Sequence, residues 1–135
     1  MVLSVIFPVF AASEPVVLAP VEEEEEYNVH TRIKFYADQY KVSAYELTET
    51  IRCETAGTFD PNIQSQWRYN YSDPKRGIVI GTQERSYGLG MYHLPDHPDM
   101  TEAMAKDPEY ALNRMAREFS EGKKSKWYCW QKLFR

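Results

Sequence analysis

Apolar residues recur at helical intervals in three stretches of this chain and alternate with polar ones in a fourth. Ile33, Tyr36, Ala37 and Tyr40 share one helix face and predict a helix over residues 30–40. Leu47 and Ile51 carry a second helical stripe that runs on to Glu54. Its start is signalled by Ser43-Ala44-Tyr45-Glu46, a capping box in which each end side chain satisfies the other residue's backbone N–H, and Gly57 supplies the stop. Over residues 64–80 the period changes. Trp67, Tyr69 and Tyr71 alternate with polar neighbours, SDPKRG makes a turn and Ile78-Val79-Ile80 follows, which predicts a β-hairpin. A glycine-punctuated loop, SYGLGMYHLPDHP, leads to Thr101, an N-cap for a short helical turn. Asp107-Pro108 then opens a last helix whose stripe is Ala111, Leu112, Met115 and Phe119, and Gly122 ends it. The pattern is mainly α with some β (α+β), and no internal repeat is visible.

The 135 residues suffice for one compact domain and a tail, and 43% hydrophobic with 14% aromatic content can fill a core. Residues 1–12, MVLSVIFPVFAA, are apolar and end in small residues, like the core and cleavage site of a secretory leader. They are too few to cross a bilayer, Pro8 interrupts them, and no Lys or Arg precedes Arg32. Residues 13–28 are rich in Pro and Glu, cannot bury a core and read as a solvated linker. The folded domain is therefore expected over residues 29–135. The net charge of −4 is unevenly spread: Glu14 and Glu22 to Glu26 supply six of the 20 acidic residues. From Tyr27 onward 16 basic residues face 14 acidic ones, a mildly basic balance that suits an anionic polymer without forming a nucleic-acid stripe. Two cysteines, Cys53 and Cys129, form one disulfide in an exported chain or remain two buried thiols in a reducing compartment; export favours the bridge.

Glu54 is the residue the pattern least explains. It continues the buried face of Leu47 and Ile51, where a carboxylate loses hydration. One reading is structural, a carboxylate capping something at a helix end. The other is chemical: partial desolvation raises a glutamate's pKa and keeps its proton available, as a general acid at a glycosidic bond requires.

Three segments occur in order: ETAGTFDPN from Glu54, SYGLGMYHLP from Ser86, and DPEYALNRMAREF from Asp107. Together they resemble the lysozyme-like domain of soluble lytic transglycosylases, related to goose-type lysozymes, over about residues 30–130. In that family a Glu-Ser pair ends a helix, a Gly-Leu-x-Gln loop lines the cleft and an Asp-Pro-led helix packs behind. The resemblance implies a lysozyme-like fold with a small β-hairpin beside the catalytic helix, and Glu54 as the catalytic acid. Thr55 stands for the usual serine, and Ser86, Gly88 and Leu89 match the cleft loop. Met91 occupies the position of the family's glutamine and lacks its amide. Tyr92 and Tyr110 flank matched segments and lead the aromatic candidates for sugar contact, ahead of Trp67, Tyr69, Tyr71 and Tyr87. Trp127 and Trp130 read as packing residues, and His93 as a half-buried structural one.

The implied activity is cleavage of the MurNAc–GlcNAc β-1,4 bond of peptidoglycan. In lytic transglycosylation the muramyl N-acetyl group assists, the sugar's C6 hydroxyl attacks, and one glutamate serves as acid and then base. Hydrolysis by a muramidase, including a phage-type lysin, needs a second carboxylate. Asp60 and Asp73 each precede a proline and read as turn formers, leaving Glu84 as the second acid. A catalytically impaired wall-binding module and a disulfide-stapled interaction domain are the non-enzymatic alternatives. No metal or other cofactor is expected, because His30, His93 and His97 lack ligand-like partners. The expected partner is the glycan strand rather than nucleic acid or membrane, for an exported monomer in the periplasm or cell wall.

Overall fold

The structure is a computed structural model and describes Val2 and residues 26–135. Apart from Val2 and residues 26–28, the expected leader and linker lie outside the described residues. Five helices follow one another: α1 (Val29–Tyr40), α2 (Ala44–Glu54), α3 (Glu102–Lys106), α4 (Pro108–Ser120) and α5 (Tyr128–Phe134). Between α2 and α3 a two-stranded antiparallel sheet pairs β1 (Ser86–Tyr87) with β2 (Tyr92–His93). The described chain is thus mainly helical with a small sheet.

Four of the five helices begin where a side chain satisfies free backbone donors, and α5 has no such cap. Asn28 caps α1, Ser43 caps α2, Thr101 caps α3, and Asp107 accepts from the N–H groups of Glu109 and Tyr110 at the head of α4. The capping box at α2 is only half formed. Ser43 accepts from the Glu46 N–H at 3.1 Å, but the Glu46 carboxylate turns away to Lys124 Nζ at 2.7 Å and Trp130 Nε1 at 3.3 Å. A charge-assisted partner on the far side outcompetes the local backbone N–H. The sequence motif thereby becomes a tertiary link between α2 and the C-terminal segment.

The stripes point inward as their spacing requires. Ile33 and Ala37 of α1, Leu47 and Ile51 of α2, and Ala111, Leu112, Met115 and Phe119 of α4 are all buried in one cluster. Helix α1 packs on α2 and α4, α2 on α5, and α3 on α4 and β1. Arg32 of α1 clasps Glu109 of α4 through both carboxylate oxygens, and Tyr36 Oη donates to the same carboxylate at 3.1 Å.

The hairpin expected over residues 64–80 is not a regular pair of strands. That segment is a loop pinned by isolated antiparallel bridges, Gln64 to Tyr87, Arg68 to Gln83 and Asp73 to Ile78, and the sheet itself forms later, at Ser86–Tyr87 and Tyr92–His93. The alternation failed for want of a core to face: Tyr69 and Ile78 are buried, while Trp67, Tyr71, Val79 and Ile80 are exposed. The connection between β1 and β2 is tight. Gly88 takes φ +78°, and a Cβ there would lie 1.8 Å from the Ala105 carbonyl oxygen of α3. Only glycine fits this approach.

Candidate active site

Glu54 is the last residue of α2, so its carboxyl stands at the negative end of that helix. The side chain is half-buried, and Oε1 accepts a 3.3 Å hydrogen bond from the Cys129 backbone N–H. Cys129 is also disulfide-bonded to Cys53, the residue before Glu54, with Cα atoms 5.8 Å apart. Cys129 thus hydrogen-bonds the carboxyl and is bridged to the residue before it. Burial raises its pKa above the usual glutamate value; the Cys129 N–H opposes the shift and the charge of Glu84 adds to it. Residues in left-handed backbone conformations gather nearby: Ala56 at φ 51° and Phe59 at φ 50° follow Glu54, and Met91 at φ 43° closes the β1–β2 turn. Non-glycine residues hold such angles only where surrounding contacts over-determine them.

Two cavities meet at this carboxyl. The first, about 500 Å³, runs from Glu54 and Glu84 past Met91 to His93, His97, Glu118, Lys126 and Trp127. The second, about 450 Å³, lies between Trp67 and Tyr128 over the Cys53–Cys129 bridge. Glu54, Glu84, Met91 and Tyr128 line both. The wall of the first is braced by mutual contacts. Trp127 donates to the Gly90 carbonyl at 2.9 Å, and Tyr92 meets His97 and Trp127 edge-on. Beneath them, Glu118 is 4% exposed, accepts from Arg114 Nε at 2.9 Å and lies 3.7 Å from Lys126 Nζ. Burial holds the His97 imidazole below its usual pKa, and the Arg114 guanidinium adds to this.

Of the residues singled out in the sequence, Glu54, Glu84, Ser86, Met91 and Tyr92 line the first cavity. Ser86 is buried and donates to Glu84 Oε1 at 2.6 Å, so it orients the second carboxylate rather than facing solvent. Tyr92 is 3% exposed and belongs to the wall.

Four residues expected at the substrate are placed elsewhere. Thr55 is fully buried, its hydroxyl donating to the Ile51 carbonyl and accepting from the Phe59 N–H; it locks the exit from α2. Leu89 is fully buried in the core. Tyr110 lines neither cavity, and its hydroxyl accepts from Arg114 at 2.9 Å. Gly88 is likewise a packing residue, pressed on α3.

Asp60 accepts from the Asn62 N–H and Asp73 from the Lys75 N–H, so both serve turns. Both ring nitrogens of His93 are engaged, with Tyr69 Oη and Asp96 Oδ2, each at 2.8 Å.

Sequence reasoning missed Tyr128, His97, Glu118 and Lys126. Tyr128 was within reach of it. A bridge from Cys53 to Cys129 brings the neighbours of Cys129 to the neighbours of Cys53, one of which is Glu54. Among the described residues no group of His, Cys, Asp and Glu side chains is arranged to hold a metal ion, and no helix is long and apolar enough to cross a membrane. Comparison with protein-family models, curated proteins and solved structures finds no match.

Proposed function

We propose that this chain is a lysozyme-like enzyme that cleaves the MurNAc–GlcNAc β-1,4 bond of peptidoglycan by lytic transglycosylation, with Glu54 as general acid and then base. The observation that carries the reading is a half-buried glutamate, Glu54, with a raised pKa, where two sugar-sized cavities meet. A carboxyl whose pKa is raised by burial keeps its proton to higher pH than an exposed one, and can deliver that proton to the glycosidic oxygen as the C1–O bond breaks. The muramyl acetamido oxygen supports the positive charge at C1. The ionised Glu54 then takes the proton of the C6 hydroxyl as that oxygen attacks C1, which closes a 1,6-anhydro ring and returns the acid to its starting form. The same reading places the enzyme outside the cytoplasm, where its disulfide persists.

Digestion of purified peptidoglycan, followed by mass spectrometry of the muropeptides, tests the proposal. Anhydro-muramyl ends from the wild type and none from Glu54→Gln are expected. Retained binding to sacculi without any cleavage by the wild type would overturn it in favour of a wall-binding module.

Glu84 favours a second reading, hydrolysis by a muramidase. It lines both cavities, acts on Glu54 through its charge and is oriented by Ser86. Glu84→Gln separates the two. Under transglycosylation the variant still yields anhydro ends, and its alkaline activity limb moves to lower pH because a negative charge beside Glu54 is gone. Under hydrolysis the wild type yields reducing ends and the variant loses turnover.

A further inference from the structure

The two cavities that meet at Glu54 differ in chemistry. The first carries Glu84, His93, Asp96, His97, Glu118 and Lys126, charges of both signs. In the second the aliphatic and aromatic surfaces of Trp67, Met91, Tyr128 and the disulfide dominate, and Glu54 and Glu84 at the junction are its only carboxylates. Trp67 is 77% exposed and Tyr128 is 73% exposed, unlike every other aromatic lining these cavities. Among the described residues neither ring stacks on another aromatic or sits under a cation, so both faces are uncommitted.

Their backbones are anything but loose. The Trp67 N–H donates to Ser65 Oγ at 3.2 Å, and its carbonyl accepts from the Glu84 N–H at 2.7 Å. Tyr128 stands between buried Trp127 and bridged Cys129. Two large rings are thus held out into water on fixed supports, at an apolar hydration cost that a stacked ligand would relieve. The pyranose of an N-acetylhexosamine presents such a ligand face, flat and rich in C–H groups, with hydroxyls at its edge.

Resting on the proposed function, we infer that the Trp67–Tyr128 cavity is a stacking subsite for the N-acetylglucosamine ring, which leaves the peptide-bearing muramic acid ring to the charged cavity. The strand then crosses Glu54 in one direction only. An N-acetylglucosamine ring carries no ionised substituent and loses nothing in an apolar slot. A stem peptide carries carboxylates and an amine, which keep their solvation among Lys126, Glu118 and Asp96.

The test uses the full chain carrying Glu54→Gln, so that binding is read without turnover. Titration with N-acetylchitotetraose is followed by calorimetry and tryptophan emission. A blue shift is expected, because Trp67 is the exposed indole while Trp127 is buried. Adding Trp67→Ala abolishes the shift and weakens binding about tenfold, Tyr128→Ala weakens it several-fold, and Trp67→Tyr restores most of it. Circular dichroism verifies the fold of each variant. Lys126→Ala weakens binding of peptide-bearing strands and leaves N-acetylchitotetraose unaffected.

Unchanged affinity in Trp67→Ala overturns the stacking subsite. Equal loss for both ligands in Lys126→Ala overturns the strand direction. Saturable, Trp67-dependent binding by a wild type that cleaves nothing leaves the subsite standing and removes the proposed reaction. Cleavage with an unchanged KM in Trp67→Ala does the reverse.

Discussion

Glu54 is placed where a folding argument alone would not put it. A carboxylate at the C-terminal end of α2, partly stripped of water and beside Glu84, is unfavourable when ionised. The sign of the resulting linkage follows directly. A folded pKa above the unfolded value means that its contribution to stability is fully present below the ordinary glutamate range and is lost as pH rises through the raised value. Glu54→Gln should therefore raise Tm at neutral pH, with the gain vanishing as the pH falls below that range, while peptidoglycan cleavage drops about a hundred- to ten-thousand-fold. Calorimetry across pH and a turnover assay check both halves, and a Tm gain that did not depend on pH would contradict the linkage. Gly88 has the opposite character, a residue of the cleft loop whose task is packing. Gly88→Ala drives a methyl into the Ala105 carbonyl at a backbone angle alanine resists, so a loss of about 3 kcal/mol is expected in denaturant unfolding.

Helix α5 has seven residues, too few to be stable alone, and the 76-residue separation closed by Cys53–Cys129 holds it against α2. Chain entropy gives that bridge a worth of about 4 kcal/mol. Its removal by Cys53→Ala with Cys129→Ala should cost stability of that order, and it should also free the N–H that hydrogen-bonds Glu54. Burial, the larger cause of the raised Glu54 pKa, is relieved as α5 loosens, so the alkaline limb is expected to move to lower pH in whatever activity survives, a change that a purely global loss of stability would not produce. The elements differ in how openly the chain announces them, for physical reasons. Helices α1, α2 and α4 carry stripes and caps whose information is local, so their extents are legible within a residue or two. The strands are not, because two-residue strands depend on contacts with α3 and the loop at Gln64 rather than on their own alternation. Helix α5 carries no capping side chain and no long stripe, and WYCW reads only as packing until the disulfide is known. The same limit governs the site. Glu54 is visible from its helix face, but Trp67 and Tyr128 become neighbours only through a bridge and a loop closed far along the chain.

The proposed activity and the stability of the fold draw on carboxylates with opposite shifts, and together they predict a working pH range. Glu109 is held low by the Arg32 guanidinium, Glu46 by Lys124, Asp73 by Arg76 and Asp99 by Arg114. Each contributes stability that is present above the ordinary carboxylate range and is lost as pH falls through its lowered folded value. In the proposed reaction Glu54 must keep its proton to act, and it loses that proton as pH rises through a raised value. Under the proposed reaction, the alkaline limb of kcat/KM is expected to belong to one catalytic group in an intact protein, and the acid limb to the fold. Near-UV circular dichroism should stay unchanged across the first and collapse with the second. Glu109→Gln isolates the acid side, because Glu109 ties α4 to Arg32 and Tyr36 of α1 and lines neither cavity. Its Tm should lie below wild type at neutral pH and converge on it as pH falls, since the wild type loses the same interaction by protonation. The alkaline limb should stay where it was. A difference in Tm that persisted at low pH would mean that Glu109 stabilises by packing and not by its charge, and the acid limb would then need another owner.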